Sequence, residues 1–287
     1  MKKFIKILIV LFIIFIGCLL YSRFIATKGL ITREYKVVST KITDNFHGIK
    51  IVHISDIHYG STIFEKELEK LTNEIIKLKP DIVVLTGDLI DDNPYNKDII
   101  IKYLSLMPSK LGKFAVSGNH DNIDEFNDII EKSGFVNLDD DYRLIYNKSN
   151  EPIIISGISS NYYDASKLDV KTEKFNNYFN NNLEDPKPIY SILLMHEPDY
   201  VDNLNLDNYD LILSGHSHGG QVRIPLIGKI YTPLGSKNYY DEYYKVNNTD
   251  LYISYGLGTS KVKLRLFNRP SINFYRITNK WFYSLFL

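Results

Sequence analysis

Five short apolar runs in this chain each end in a residue type that binds metal ions. Ile51-Val52-His53-Ile54-Ser55 leads into Asp56-Ile57-His58, and Ile82-Val83-Val84-Leu85-Thr86 leads into Gly87-Asp88. Phe114-Ala115-Val116-Ser117 leads into Gly118-Asn119-His120-Asp121. Ile192-Leu193-Leu194-Met195 leads into His196, and Leu211-Ile212-Leu213-Ser214 leads into Gly215-His216-Ser217-His218. Short runs rich in branched side chains suit strands buried on both faces. In open α/β sheets, ligands bind beyond the carboxyl ends of strands, so five such ends can converge on one pocket. Rigid strands also hold ligand groups more firmly than loops do. Glycine at 87, 118 and 215 lets the chain turn sharply there and approach an ion closely.

The histidines sharpen this reading. Of seven in the chain, five fall at these run ends: His58, His120, His196, His216 and His218. His47 and His53 lie elsewhere and read as ordinary loop and strand residues. An Asp-x-His taken alone says little; the ordered set of five says a great deal.

The rest of the body alternates strands with helices. Lys36–Thr43 and Ile49–Ser55 are strand-like, and Glu65–Lys79 has helical apolar spacing ended by Pro80. Asn96–Met107 and Ile123–Lys132 read as helices, the second stopped by Gly134. Ile153–Ser156, Tyr252–Tyr255 and Ile272–Tyr275 are further strands. Residues 161–188 are polar and Asn-rich and read as a peripheral insertion. Early alternation followed by strand-rich sequence predicts an α/β chain: a four-layer α/β/β/α sandwich of two mixed sheets flanked by helices.

The set DxH, GDxx, GNH[DE], H and GHxH, in that order, resembles the calcineurin-like metallophosphoesterase superfamily. It stands here as Asp56-Ile57-His58, Gly87-Asp88-Leu89-Ile90, Gly118-Asn119-His120-Asp121, His196 and Gly215-His216-Ser217-His218. The match covers roughly residues 48 to 260. Asp-Ile-His-Tyr-Gly, Met-His-Glu-Pro-Asp and Gly-His-Ser-His-Gly-Gly-Gln also resemble the branch of membrane-anchored bacterial phosphoesterases. Carried over by position, the resemblance implies two divalent metals, manganese, iron or zinc. Asp56, His58 and His218 hold one, Asn119, His196 and His216 hold the other, and Asp88 bridges them. His120 stands beside the substrate phosphate as cation or acid, and Asp121 orients it. Two metals ~3.5–4 Å apart clamp the attacking and leaving oxygens of an in-line displacement, with a shared hydroxide as nucleophile. The implied substrate is a phosphodiester or pyrophosphate, lipid-linked ones such as UDP-diacylglucosamine among them.

Gly215-His216-Ser217-His218-Gly219 fits the G-x-S-x-G elbow of serine esterases, which needs a histidine downstream, and none follows His218. A non-catalytic interaction module of the same fold is disfavoured because every ligand position is filled. Gly256-Leu257-Gly258, with Arg265 behind it, is a candidate substrate contact in which Arg265 pairs with a phosphate. Asp91 and Asp92 read as loop residues that cap or take up water.

The first 28 residues form a different region. They hold Lys2, Lys3, Lys6, Arg23 and Lys28 and no acid. Ile7–Tyr21 is uncharged and apolar, and a helix over about 4–22 makes a single-pass membrane anchor with Lys6 reaching the headgroups. The flanking lysines favour a body facing away from the cytoplasm. No small-x-small cleavage site precedes Lys28, and Gly17-Cys18 is a poor lipoprotein box, so the anchor reads as retained. Residues 29–287 are then the catalytic domain. Net charge is zero, 34 basic against 34 acidic residues, which argues against a nucleic-acid partner. The single cysteine, Cys18, excludes an intramolecular disulfide. The aromatic tail Trp281–Leu287 reads as a strand or cap packed on the core.

Overall fold

Alternation along the branched runs sends successive side chains to opposite faces, so each run can join two cores at once. A computed structural model of the chain describes residues 1–91, 95–160, 165–181 and 190–280. The tail Trp281–Leu287, Asp92 and parts of the 161–188 insertion lie outside the described residues.

In chain order the first half contains α1 (Lys2–Phe24), β1 (Ile31–Ser39), β2 (Lys50–Ile54), α2 (Glu65–Leu78), β3 (Ile82–Thr86), α3 (Lys97–Ser105), β4 (Gly112–Val116), α4 (Ile123–Lys132) and β5 (Val136–Asn137). There follow β6 (Asp141–Ile145), β7 (Ile153–Ile158), α5 (Leu168–Asn181), β8 (Ser191–Met195) and β9 (Leu211–Ser214). A small hairpin of β10 (Arg223–Ile224) and β11 (Gly228–Lys229) precedes β12 (Tyr243–Val246), β13 (Thr249–Ile253) and β14 (Ser271–Asn279).

The strands form two six-stranded sheets, ordered β1-β14-β2-β3-β4-β5 and β12-β13-β9-β8-β7-β6. Both are mixed: β2 to β5 run parallel while β14 is antiparallel to β2. In the second sheet β7, β8, β9 and β13 run parallel between antiparallel edges. Alternation then builds three cores. Val52, Ile54, Val83 and Leu85 face Leu68, Leu71, Ile100, Phe126 and Ile129 of α2, α3 and α4. Ile51, Ile82, Val84 and Phe114 face Ile155, Ile192, Leu194 and Leu213 across the sheets. Leu193, Met195 and Ile212 face Leu168 and Phe175 of α5. The architecture is the expected α/β/β/α sandwich.

Helix ends follow local chemistry. The Asn122 side chain accepts from Glu125 N (3.2 Å) to start α4, and Asn96 accepts from Asp98 N (3.0 Å) to start α3. Two expectations need correction. The first strand is Ile31–Ser39, not Lys36–Thr43, because its register is fixed by nine parallel pairs with β14. The polar insertion contains α5, whose Leu168 and Phe175 recur at helical spacing on the second sheet.

The N-terminal helix α1 is apolar and exposed along almost its whole length. Its 23 residues extend about 35 Å at ~1.5 Å per residue, enough to cross a ~30 Å hydrocarbon layer. Its last turn is bonded to the body: Ser22 Oγ donates to Arg265 O (2.7 Å), and Arg265 N donates to Ser22 O (3.1 Å). The helix fits a membrane anchor.

Candidate metal centre

Each of the five run ends lies just past the carboxyl end of a parallel strand: β2, β3 and β4 in one sheet, β8 and β9 in the other. The chain must turn abruptly there, and the turns are strained. Among the described residues, twelve non-glycine residues have left-handed φ, and five of them are Asp56, His58, Asp88, His216 and His218. Such residues cost about 1–3 kcal/mol each and persist where the surroundings over-determine them, commonly at functional sites. Gly87 makes the close approach possible: at φ +80°, a Cβ there would stand 2.6 Å from His196 Nδ1 and 2.6 Å from Gly118 Cα.

The side chains gather into two triads. In the first, His218 Nε2 lies 3.2 Å from His58 Nε2 and 3.3 Å from Asp56 Oδ1. In the second, His216 Nδ1 lies 3.1 Å from His196 Nε2, which is 3.3 Å from Asp88 Oδ2. That same Asp88 oxygen is 3.3 Å from His58 Nε2, so Asp88 stands between the triads. All six residues are buried.

Main-chain partners fix several ligand groups. His196 Nδ1 donates to Thr86 O (2.7 Å), and His216 Nε2 donates to Leu234 O (2.7 Å), which turns His196 Nε2 and His216 Nδ1 inward. Asp56 accepts from Ser55 Oγ (2.6 Å) and from His216 N (3.1 Å). Burial pushes His58 down to about 4 and His216 down to about 3, so both rings are neutral at pH 7, as ligands must be. Burial likewise holds His218 well below the usual imidazole range. It raises the Asp56 carboxyl to about 6, against the pull of His196. Burial opposes charge on Asp88 and His196 too, but their mutual attraction outweighs it, holding Asp88 well below and His196 well above their ordinary ranges.

Asn119 follows Gly118 at the end of β4, and its Oδ1 is buried with no hydrogen-bond partner among the described residues. The next backbone amide, His120 N, donates to Asp88 Oδ1 (2.9 Å), so the Asn119 loop lies against the shared carboxylate. The His120 ring is partly exposed and sits edge-on to His58 with centroids 5.0 Å apart. Asp121 does not orient that ring. Its Oδ1 accepts from Leu89 N (2.9 Å) and Ile90 N (3.2 Å), and its Oδ2 from Gly118 N (2.8 Å), so it ties two ligand loops together. The carboxylate that approaches the imidazole is Asp91, with Oδ1 4.0 Å from His120 Nδ1. Asp91 was legible only as an acid three residues past Asp88, a spacing with no meaning until the loop is folded.

The substrate-contact reading of Arg265 is corrected. Its side chain is 0% exposed, and its donors are taken by Tyr255 O (2.9 Å), Gly256 O (3.1 Å), Gly258 O (2.6 Å) and Asn268 Oδ1 (3.4 Å). No phosphate can reach a guanidinium so enclosed; it clamps the 255–258 turn. Gly256 in that turn is also buried, and a Cβ there would stand 2.7 Å from Asp56 Cβ, so its lack of a side chain makes room for a candidate ligand. Ser217 is 1% exposed, accepts from Gly219 N (2.9 Å) and donates to Tyr240 O (3.3 Å), which leaves no free nucleophile.

The donor set fits divalent cations. Imidazole nitrogens and two carboxylates face one another, an amide oxygen in the adjoining loop is buried without a partner among the described residues, and nitrogen–oxygen sets of this kind suit manganese, iron or zinc. Comparison with known proteins points the same way. A family model described as calcineurin-like phosphoesterase matches residues 49–220. A metallophosphoesterase of Aquifex aeolicus is 31% identical over 279 residues, covering 93% of this chain and 99% of the relative. The metallophosphoesterase YkuE of Bacillus subtilis is 28% identical over 263 residues, covering 90% and 88%. Phosphodiesterase YaeI of Escherichia coli is 28% identical over 238 residues, covering 80% and 82%. With the family model spanning more than half its length, this chain belongs to the calcineurin-like phosphoesterases.

Proposed function

We propose that this protein is a membrane-anchored phosphohydrolase that cleaves a phosphodiester or pyrophosphate bond with two divalent cations. The observation that carries the reading is Asp88 Oδ2, equidistant at 3.3 Å from His58 Nε2 and His196 Nε2. One carboxylate oxygen between two buried triads is the geometry of a shared ligand. Asp56, His58 and His218 would hold one cation, Asn119, His196 and His216 the other, and Asp88 both. When bound, the cations supply charge for the phosphate oxygens and the acidity that makes water a nucleophile at neutral pH.

The chain's own groups do the rest. His120, on the open side of the site, donates a proton or hydrogen bond to the leaving oxygen, and the Asp91 carboxylate stands 4.0 Å from its Nδ1. Asp121 keeps the Asp88 and Asn119 loops in register through three backbone amides. Residues 1–28 are the anchor and 29–287 the catalytic domain, which we place outside the cytoplasm. Confining the enzyme to a membrane surface suits a lipid-linked phosphoester.

The test is a panel of soluble aryl monoester, aryl diester, nucleotide-sugar pyrophosphate and phospholipid, assayed with purified protein and added Mn²⁺. Chelator-sensitive cleavage of the diester or pyrophosphate is the expected result. A protein that binds metal and cleaves none of the four is a binding module.

A further inference from the structure

The surface next to the metal-ligand loops is unlike the rest of the body. The hairpin β10–β11 turns over at Pro225-Leu226-Ile227, and the loop after Ser260 turns at Leu266-Phe267. The two lie side by side, joined by Arg223 N donating to Leu266 O (2.9 Å) and Leu266 N to Gln221 O (3.2 Å). Together they expose Leu226, Ile227, Ile230, Tyr231, Val262 and Phe267, with Ile227 at 73% and Phe267 at 68%. Leu226 and Phe267 hold left-handed backbone, φ 70° and 50°, where turns ordinarily take glycine or asparagine. A bulky apolar side chain held there in water has no folding rationale.

Charge follows the same boundary. Residues 221–237 and 259–269 contain Arg223, Lys229, Lys237, Lys261, Lys263 and Arg269 besides the buried Arg265, and not one acid. The chain beyond residue 28 is acidic as a whole. Apolar tips within a basic field match an anionic lipid surface, where rings and branched chains enter the headgroup boundary and lysines pair with phosphates.

Position settles the occupant. The last turn of α1 is bonded to this same loop, at Ser22 with Arg265. A bilayer holding α1 is therefore adjacent to the patch by construction. We propose that the hairpin from Val222 to Leu234 and the loop from Lys261 to Phe267 are a second, interfacial contact with the bilayer that holds α1. The proposal rests on reading α1 as the anchor. It bears on the metal centre because the same segments hold two candidate ligands: Leu234 O receives His216 Nε2 (2.7 Å), and Asn268 Nδ2 donates to His218 O (2.5 Å). A site so placed receives its phosphoester from the membrane plane.

Cys18, the only cysteine, makes the test direct. A Cys18→Ser background carries Leu226→Cys, Phe267→Cys or, as a control on the exposed face of α5, Val170→Cys, each labelled with an environment-sensitive fluorophore. The full chain, checked for native circular dichroism, is reconstituted into phosphatidylcholine–phosphatidylglycerol vesicles with or without quencher-bearing acyl chains. Labels at 226 and 267 should lose emission to the lipid quencher as a label on native Cys18 does, while the label at 170 stays bright. Quenched Cys18 with 226 and 267 open to aqueous iodide overturns the proposal alone. Unquenched Cys18 overturns the anchor and the proposal together. Shielding of 226 and 267 from both quenchers also overturns it, since a protein then covers the patch. None of these readings depends on phosphoesterase activity.

Discussion

The two triads look alike in composition and differ in how they are held. In the Asp88 triad both imidazoles are pinned from behind, His196 by Thr86 O and His216 by Leu234 O, each at 2.7 Å. In the Asp56 triad neither has a comparable support among the described residues. His58 Nδ1 is buried without a partner among them, and His218 Nδ1 faces Arg265 Nη2 at 3.5 Å, a long contact to a cation. Pinned imidazoles have a fixed tautomer and orientation, and such outer partners are worth about 10–100-fold in metal affinity. The difference teaches that the Asp88 triad is the better preorganised; on the proposed two-cation reading, the Asp56 triad, beside a guanidinium, would hold the more exchangeable ion.

Three measurements break or sharpen this contrast. The largest effect should come from the shared residue: Asp88→Asn removes a charge from both triads, and turnover of an aryl diester should fall below detection. Retained turnover would mean that one triad suffices. Next, His120→Ala belongs to neither triad, so turnover should drop by about 10²-fold or more while metal content by elemental analysis is unchanged. Lost metal would make His120 a ligand and enlarge the Asp56 side. The smallest effect is the most discriminating. Titrating the holo protein with a chelator should release metal in two steps separated by about tenfold or more in chelator activity, and His58→Ala should abolish only the easier step. A single step would erase the distinction between the triads.

Much of this was legible before folding. Branched runs named the inner strands because burial on both faces leaves few other residue types, and the run ends carried Asp and His where strand geometry collects them. What stayed hidden was long-range or main-chain. β1 looked like a strand five residues later, since its residues alternate between half-buried and exposed and its register comes from β14, more than two hundred residues away. α5 was obscured by asparagines, although Leu168 and Phe175 were in place. Arg265 looked like a phosphate contact because only the fold reveals carbonyls able to enclose it. The supports of His196 and His216 are backbone oxygens, which leave no mark on the identity of Thr86 or Leu234.

The pairing of β1 with β14 has a mechanical side. A chain tethered through α1 passes any tug on the tether first to the Ser22–Arg265 bonds and then to Ile31, where β1 begins. The nine residue pairs between β1 and β14 run parallel and in continuous register. Tension along the strand therefore shears the whole ladder at once and does not peel it rung by rung. The tether is fastened to the sheet by a lap joint, with β14 standing between it and β2, the nearest strand that leads into a candidate ligand loop.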